Sequence, residues 1–141
     1  MDVTVRYLGG KKFEMTARDH KILSDQPLDN DGTDSAMTPP ELFLSALGAC
    51  AAYYAAEYLR ARALPQDQLE IRISGLKGDK PARIVSLSLD IVAPGLSERH
   101  REGILKAVNY CLLKNTLHVP PEINVRVIAP TEVVEHEPAL V

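Results

Sequence analysis

The sequence has only two cysteines, Cys50 and Cys111, and their separation of 61 positions excludes a CxxC motif. It also lacks any Lys/Arg block or basic stripe with interleaved aromatics. Aromatic residues are 5% of the chain, and 16 basic against 19 acidic side chains leave a formal charge of -3. A nucleic-acid partner is therefore not expected. The longest apolar run, Leu42 to Ala56, holds about 15 residues where a bilayer span needs roughly 20. Glu57, Arg60 and Arg62 follow it at once, so no membrane partner is expected either. The four histidines, His20, His100, His118 and His136, stand singly with no metal-ligand spacing, which argues against a zinc or iron site. The opening residues MDVTVRY alternate like a strand and do not read as a signal peptide. A cytoplasmic location is expected, where two cysteines are inert core thiols or redox-active ones rather than a permanent disulfide.

What is present is the composition of one ordinary domain: 141 residues, 45% hydrophobic and 25% charged, with no internal repeat. Val3, Val5 and Tyr7 alternate with polar residues, Gly9-Gly10 reads as a turn, and Phe13, Met15 and Ala17 form a second strand. Asp19-His20 makes another turn before a short strand over Lys21 to Ser24. The stretch from Asp25 to Met37 is rich in Asp, Asn, Gly and Ser and reads as an exposed loop. Its DNDGTD segment faintly resembles a calcium loop but lacks the glutamate and flanking helices that such a loop requires.

The stretch from Thr38 to Arg62 is the part around which the rest is arranged. Thr38 with Glu41 is a capping box, and Pro39-Pro40 occupy first-turn positions where a missing N–H costs little. The helix predicted here is apolar on every face, which calls for burial all round, and it ends near Ala63 before Pro65. Leu69 to Ser74 and Ile84 to Val92 alternate as a second hairpin around turn residues 75–81. Ser97 is a good N-cap for an amphipathic helix running to about Leu113, with Ile104, Val108 and Cys111 on one face. A last strand is predicted over Ile123, Val125 and Val127, followed from about residue 131 by a tail that is either frayed or docked on a partner. The fold class is α+β.

Cys50 lies among Ala49, Ala51 and Ala52, where a thiol behaves as a small buried hydrophobe unless something activates it. Its mid-helix position denies it the field of a helix N-terminus. Glu41 is nine positions earlier, on the opposite side of the helix and about 13 Å along its axis, so the two do not touch within one helix. Tyr54, one turn beyond Cys50, is placed to line the same pocket.

The stretch TPPELFLSALGACAA resembles the central-helix signature of the osmotically inducible protein C and organic hydroperoxide resistance family, and NYCLLKNTL resembles the segment holding that family's second cysteine. The order of strands and helices is similar over most of the chain. The resemblance implies an intertwined homodimer with active sites at the subunit interface, and a peroxidase that needs no metal or organic cofactor. Its substrate would be an organic hydroperoxide, with hydrogen peroxide a lesser candidate. Carried over by position, Cys50 is the peroxidatic thiolate and Cys111 the resolving thiol, regenerated by a thiol or dithiol reductant. Glu41 matches a helix-start glutamate that helps hold an arginine against the reactive sulfur. Where relatives carry that arginine, this sequence has Lys11 and Lys12; Arg18 is the nearest alternative, with Arg6 behind it. Leu112 stands where many relatives have a proline after the second cysteine.

The main alternative is a non-catalytic dimer of the same fold whose apolar pocket holds a small ligand and whose cysteines only pack. A cysteine-nucleophile hydrolase is disfavoured because no histidine stands in an evident base position.

Overall fold

The computed structural model describes residues 1–129 of the 141; the tail from about residue 131 lies outside the described residues. Strands β1 (Thr4–Gly9), β2 (Lys12–Ala17) and β3 (His20–Ser24) form an antiparallel meander in the order β1-β2-β3. Gly9 and Gly10 turn between β1 and β2 with φ of 107° and 58°, values that a side chain opposes and glycine accepts. The second turn lies at Arg18-Asp19, one residue earlier than expected, because Ala17 already pairs with His20. Arg18 takes the left-handed conformation there, with φ of 53°.

Helix α1 (Pro39–Arg60) starts at the expected capping box. The Glu41 carboxylate accepts the Thr38 backbone N–H at 2.7 Å and the Thr38 hydroxyl at 2.8 Å. Those two bonds, the backbone one first, hold the Glu41 carboxyl below its ordinary range, and Lys77 adds a smaller pull. The helix ends at Arg60, where Arg60 pairs bidentately with Glu57, and Ala63 turns the chain away with φ of 52°. By length and composition α1 alone among the described residues could cross a membrane, although its apolar run is shorter than its 22 residues. Its packing is that of a core helix. Ala51, Ala55 and Leu59 are buried against Ile104 and Val108 of helix α2 (Glu98–Val108), with Leu96 beside them.

Burial of α1 is one-sided, against the expectation from its composition. Phe43, Ala46, Ala49 and Tyr53 are exposed, and they make a stripe of i, i+3 and i+4 neighbours down the other side. Strands β4 (Glu70–Asp79) and β5 (Ala82–Val92) pair antiparallel and cover a second flank of the helix. The turn predicted over residues 75–81 contracts to Lys80-Pro81, since Gly75 and Gly78 lie within the strand. They are glycines because of close approach: a Cβ at Gly75 would stand 3.3 Å from Leu44 Cδ2 on α1. At Gly48, by contrast, a Cβ would make only ordinary contact, 3.5 Å from Ile73 Cγ2.

Two further expectations are corrected. The helix predicted to run to Leu113 ends at Val108, and a turn at Asn109-Tyr110 separates it from helix α3 (Leu112–His118). Asparagine is a poor helix former, and its side chain here accepts the Lys114 ammonium at 2.9 Å instead of continuing the helix. The last strand expected at 123–127 is not formed among the described residues. Ile123, Val125 and Val127 alternate as a strand should, but they are exposed and meet no sheet edge of their own chain.

The loop from Asp25 to Met37 is organised from within by a carboxylate that sequence reading treated as exposed. Asp25 is fully buried. Its side chain accepts the N–H of Gln26 at 2.8 Å, the N–H and hydroxyl of Thr33 at 3.1 and 2.7 Å, and the N–H and hydroxyl of Ser35 at 3.1 and 2.9 Å. The Thr33 hydroxyl leads these bonds in holding the Asp25 carboxyl far below its ordinary value of 3.8. A carboxyl depressed in the folded state stabilises fully above its unfolded value and loses that contribution as the pH falls below it. Asp25→Asn is therefore expected to lower the thermal midpoint strongly at pH 7. The gap from the parent should narrow as the pH drops through 3.8, as thermal melts of both proteins at pH 7 and pH 3 would show.

Candidate active site

The break between α2 and α3 makes Cys111 the N-cap residue of α3. Its sulfur, with no exposed surface, accepts the Lys114 backbone N–H at 3.5 Å. Cys111 faces α1, and its Sγ donates to Cys50 Sγ at 2.8 Å. Both thiols are free, and this separation exceeds the roughly 2.05 Å of a disulfide while lying inside ordinary sulfur contact. Two residues 61 positions apart are thus in direct sulfur–sulfur contact.

The two sulfurs differ in environment. Burial pushes the Cys111 thiol above its ordinary range; the bond to Cys50 adds to the rise and the Lys114 N–H opposes it. Cys111 thus keeps its proton, and its S–H is the donor to Cys50. Cys50 is only half-buried, at the edge of the open stripe formed by Ala46, Ala49 and Tyr53. Tyr54 packs toward the core, with its ring 5.2 Å from that of Tyr53 in an edge-on arrangement.

Behind Cys111 lies an apolar cavity of about 270 Å³. Leu47, Leu87, Leu89, Val108 and Leu117 line it, together with Lys114 and His118. These two are the basic groups that sequence reading did not single out. The signal available for Lys114 was its position three residues after Cys111, which matters only once the helix break at Asn109 is recognised.

The other expected site residues are placed elsewhere. Glu41 is exposed and bonded to Thr38 at the start of α1, so its capping role is in place. Arg18 is exposed at the β2–β3 turn, while Lys11 and Lys12 flank the β1–β2 turn and Arg6 lies in β1. None of the four lines the cavity beside Cys111. Within one chain, among the described residues, the fold brings together the two cysteines and leaves the meander's cations apart from them.

The sequence matches the OsmC-like protein family over residues 32–126, which includes α1 and both cysteines. The chain belongs to the OsmC-like protein family. Solved structures agree in fold. An OsmC-like protein from Mycoplasma pneumoniae is 22% identical with a TM-score of 0.70, the match covering 83% of this chain and 86% of that one. An organic hydroperoxide resistance protein OsmC from Legionella pneumophila is 16% identical with a TM-score of 0.63, over 83% and 89% of the two chains. The organic hydroperoxide resistance protein OhrB of Bacillus subtilis is 19% identical with a TM-score of 0.57, over 82% and 88%. No curated protein matches the sequence. The α+β arrangement of this OsmC-like chain is thus a family property.

Proposed function

We propose that this OsmC-like protein is a cytoplasmic, thiol-dependent peroxidase that reduces organic hydroperoxides through Cys50 and Cys111. The observation that carries the reading is the 2.8 Å contact between a half-buried and a fully buried sulfur. The Cys50 thiolate attacks the terminal oxygen of the hydroperoxide, the O–O bond breaks, and the alkoxide leaves with a proton as the alcohol. Cys50 is then a sulfenic acid. Cys111 displaces its hydroxyl as water and closes a disulfide, which a thiol or dithiol reductant reopens by exchange. The alanines and tyrosines around Cys50 favour an organic peroxide over hydrogen peroxide. The organic hydroperoxide resistance named for the Legionella and Bacillus proteins supports the same substrate class.

The reading includes a homodimer. Val3, Val5, Phe13 and Met15 of the meander face an open apolar groove that meets only Pro39, Leu42 and Phe43 of α1, and the Phe43–Tyr53 stripe is equally uncovered. A second copy covers both surfaces, and we propose that it brings Arg18, or failing it Lys11, Lys12 or Arg6, to the Cys50 side as the activating cation, with Glu41 as a positioning residue. A solution mass equal to that of one chain at micromolar concentration would contradict this assembly. For the activity, the purified protein with a dithiol is expected to consume an alkyl or aryl hydroperoxide catalytically and hydrogen peroxide more slowly. Consumption no faster than by the dithiol alone would refute it.

The cavity behind Cys111 favours a second reading, a dimeric binding protein that holds a small apolar ligand beside packing cysteines. That reading requires a ligand retained through purification and peroxide-inert thiols.

A further inference from the structure

The cavity behind Cys111 changes character from floor to rim. Its floor is apolar and closed to solvent, since Leu47 and Ala51 of α1, Val108 of α2 and Cys111 are all buried. Its rim is basic, with Lys114 half-buried and His118 exposed. We infer that this cavity binds a medium-chain carboxylate, its alkyl tail on the floor and its carboxylate at Lys114 and His118. This ligand class deepens the binding reading but takes only the cavity from it. A plain carboxylate has no O–O bond, so it binds whether or not the thiols react with peroxide.

The volume limits the tail. About 270 Å³ is more than the roughly 150 Å³ that admits benzene and just under the roughly 300 Å³ at which pockets for drug-sized molecules begin. An alkyl chain of about six to ten carbons falls between these limits.

The rim selects the head group. Lys114 and His118 are four positions apart on α3 and therefore share one face of it. Lys114 Nζ donates to Asn109 Oδ1 at 2.9 Å, which anchors the ammonium at the turn between α2 and α3 and leaves it further protons to donate. It makes no ion pair among the described residues, and no acidic residue is among those lining the cavity. A cation beside an apolar floor is partly dehydrated, so an anion meets it with less competition from water than on an open surface. No arginine lines the cavity, so the planar fork that suits phosphate is missing. An ammonium and an imidazole N–H match the two oxygens of a carboxylate.

The test is calorimetric titration of the reduced wild-type protein at pH 7 with octanoate, octanol and octylammonium. Octanoate should bind about tenfold more tightly than octanol, and octylammonium more weakly than either. Among the acids, affinity should rise by roughly threefold per methylene from butanoate to octanoate and stop rising by dodecanoate, whose chain outgrows the floor. Lys114→Met should weaken octanoate about tenfold and leave octanol unchanged, the second result showing that the cavity is intact. Lys106→Met, at a residue that does not line the cavity, should change neither. Octanol binding as tightly as octanoate to the wild-type protein, octanoate binding that is indifferent to Lys114, or no binding of any acid would overturn the inference. Failure of the peroxidase reading looks different, because a protein inert to hydroperoxide would still show these affinities.

Discussion

Replacing Cys50 by serine is expected to lower organic hydroperoxide reduction by roughly three orders of magnitude, about 4 kcal/mol of transition-state stabilisation. Serine fits the space of cysteine, so α1 and its packing on α2 and β4 should survive. The chemistry should not. A hydroxyl is not ionised at neutral pH, and Cys111 donates a hydrogen bond to position 50 rather than removing a proton from it. Cys111 is no substitute nucleophile, because its sulfur is fully buried and burial holds its proton on. Peroxide consumption under excess dithiol measures the effect. A serine variant with more than about a tenth of the parent activity would remove Cys50 from the peroxidatic role.

The Cys111→Ser variant should separate oxidation from resolution. Serine remains an acceptor for the Lys114 N–H, so the start of α3 is kept. The first reaction with hydroperoxide should proceed within a fewfold of the parent rate, since Cys50 and its approach are unchanged. The sulfenic acid then has no thiol beside it. A second peroxide takes it to the sulfinic acid, a gain of about 32 Da that reductant does not reverse. Sustained turnover is expected to collapse by roughly tenfold or more within a few cycles, with progressive inactivation. Intact mass after excess peroxide distinguishes the outcomes. An unmodified Cys50 in this variant would mean that Cys111 is the residue that meets peroxide.

Local features of the fold were legible in the sequence because local chemistry determines them. The Thr38–Glu41 box needs only a three-residue spacing, and the meander needs only alternation and the Gly9-Gly10 turn. Errors arose where tertiary contact decides. Ile104, Val108 and Cys111 keep a helical period across Asn109 and Tyr110, so the break that makes Cys111 an N-cap leaves no trace in the pattern. Gly75 and Gly78 look like turn residues, yet they sit in a strand because Leu44 and Val85 press on them. The apolar composition of α1 pointed to burial on all sides, while one chain covers only part of it. Asp25 was one acidic residue of several in a polar loop; nothing local says which carboxylate turns inward.

For the site, spacing alone placed Cys50 and Cys111 on elements that face one core, and the family resemblance supplied the expectation that they meet. The 2.8 Å contact and the asymmetric burial belong to the fold. The cation stayed undetermined in the sequence for a physical reason. Lys11, Lys12, Arg18 and Arg6 all lie on the meander, which packs little against the rest of its own chain, so no contact within the chain fixes its position relative to Cys50.

The most direct test of the account is to treat the reduced protein with one equivalent of an organic hydroperoxide and weigh it. The account predicts an intact mass lower by about 2 Da, loss of both free thiols, and a peptide pair joining Cys50 to Cys111, with one alcohol formed per protein. Unchanged mass, two titratable thiols and unreacted hydroperoxide would contradict it.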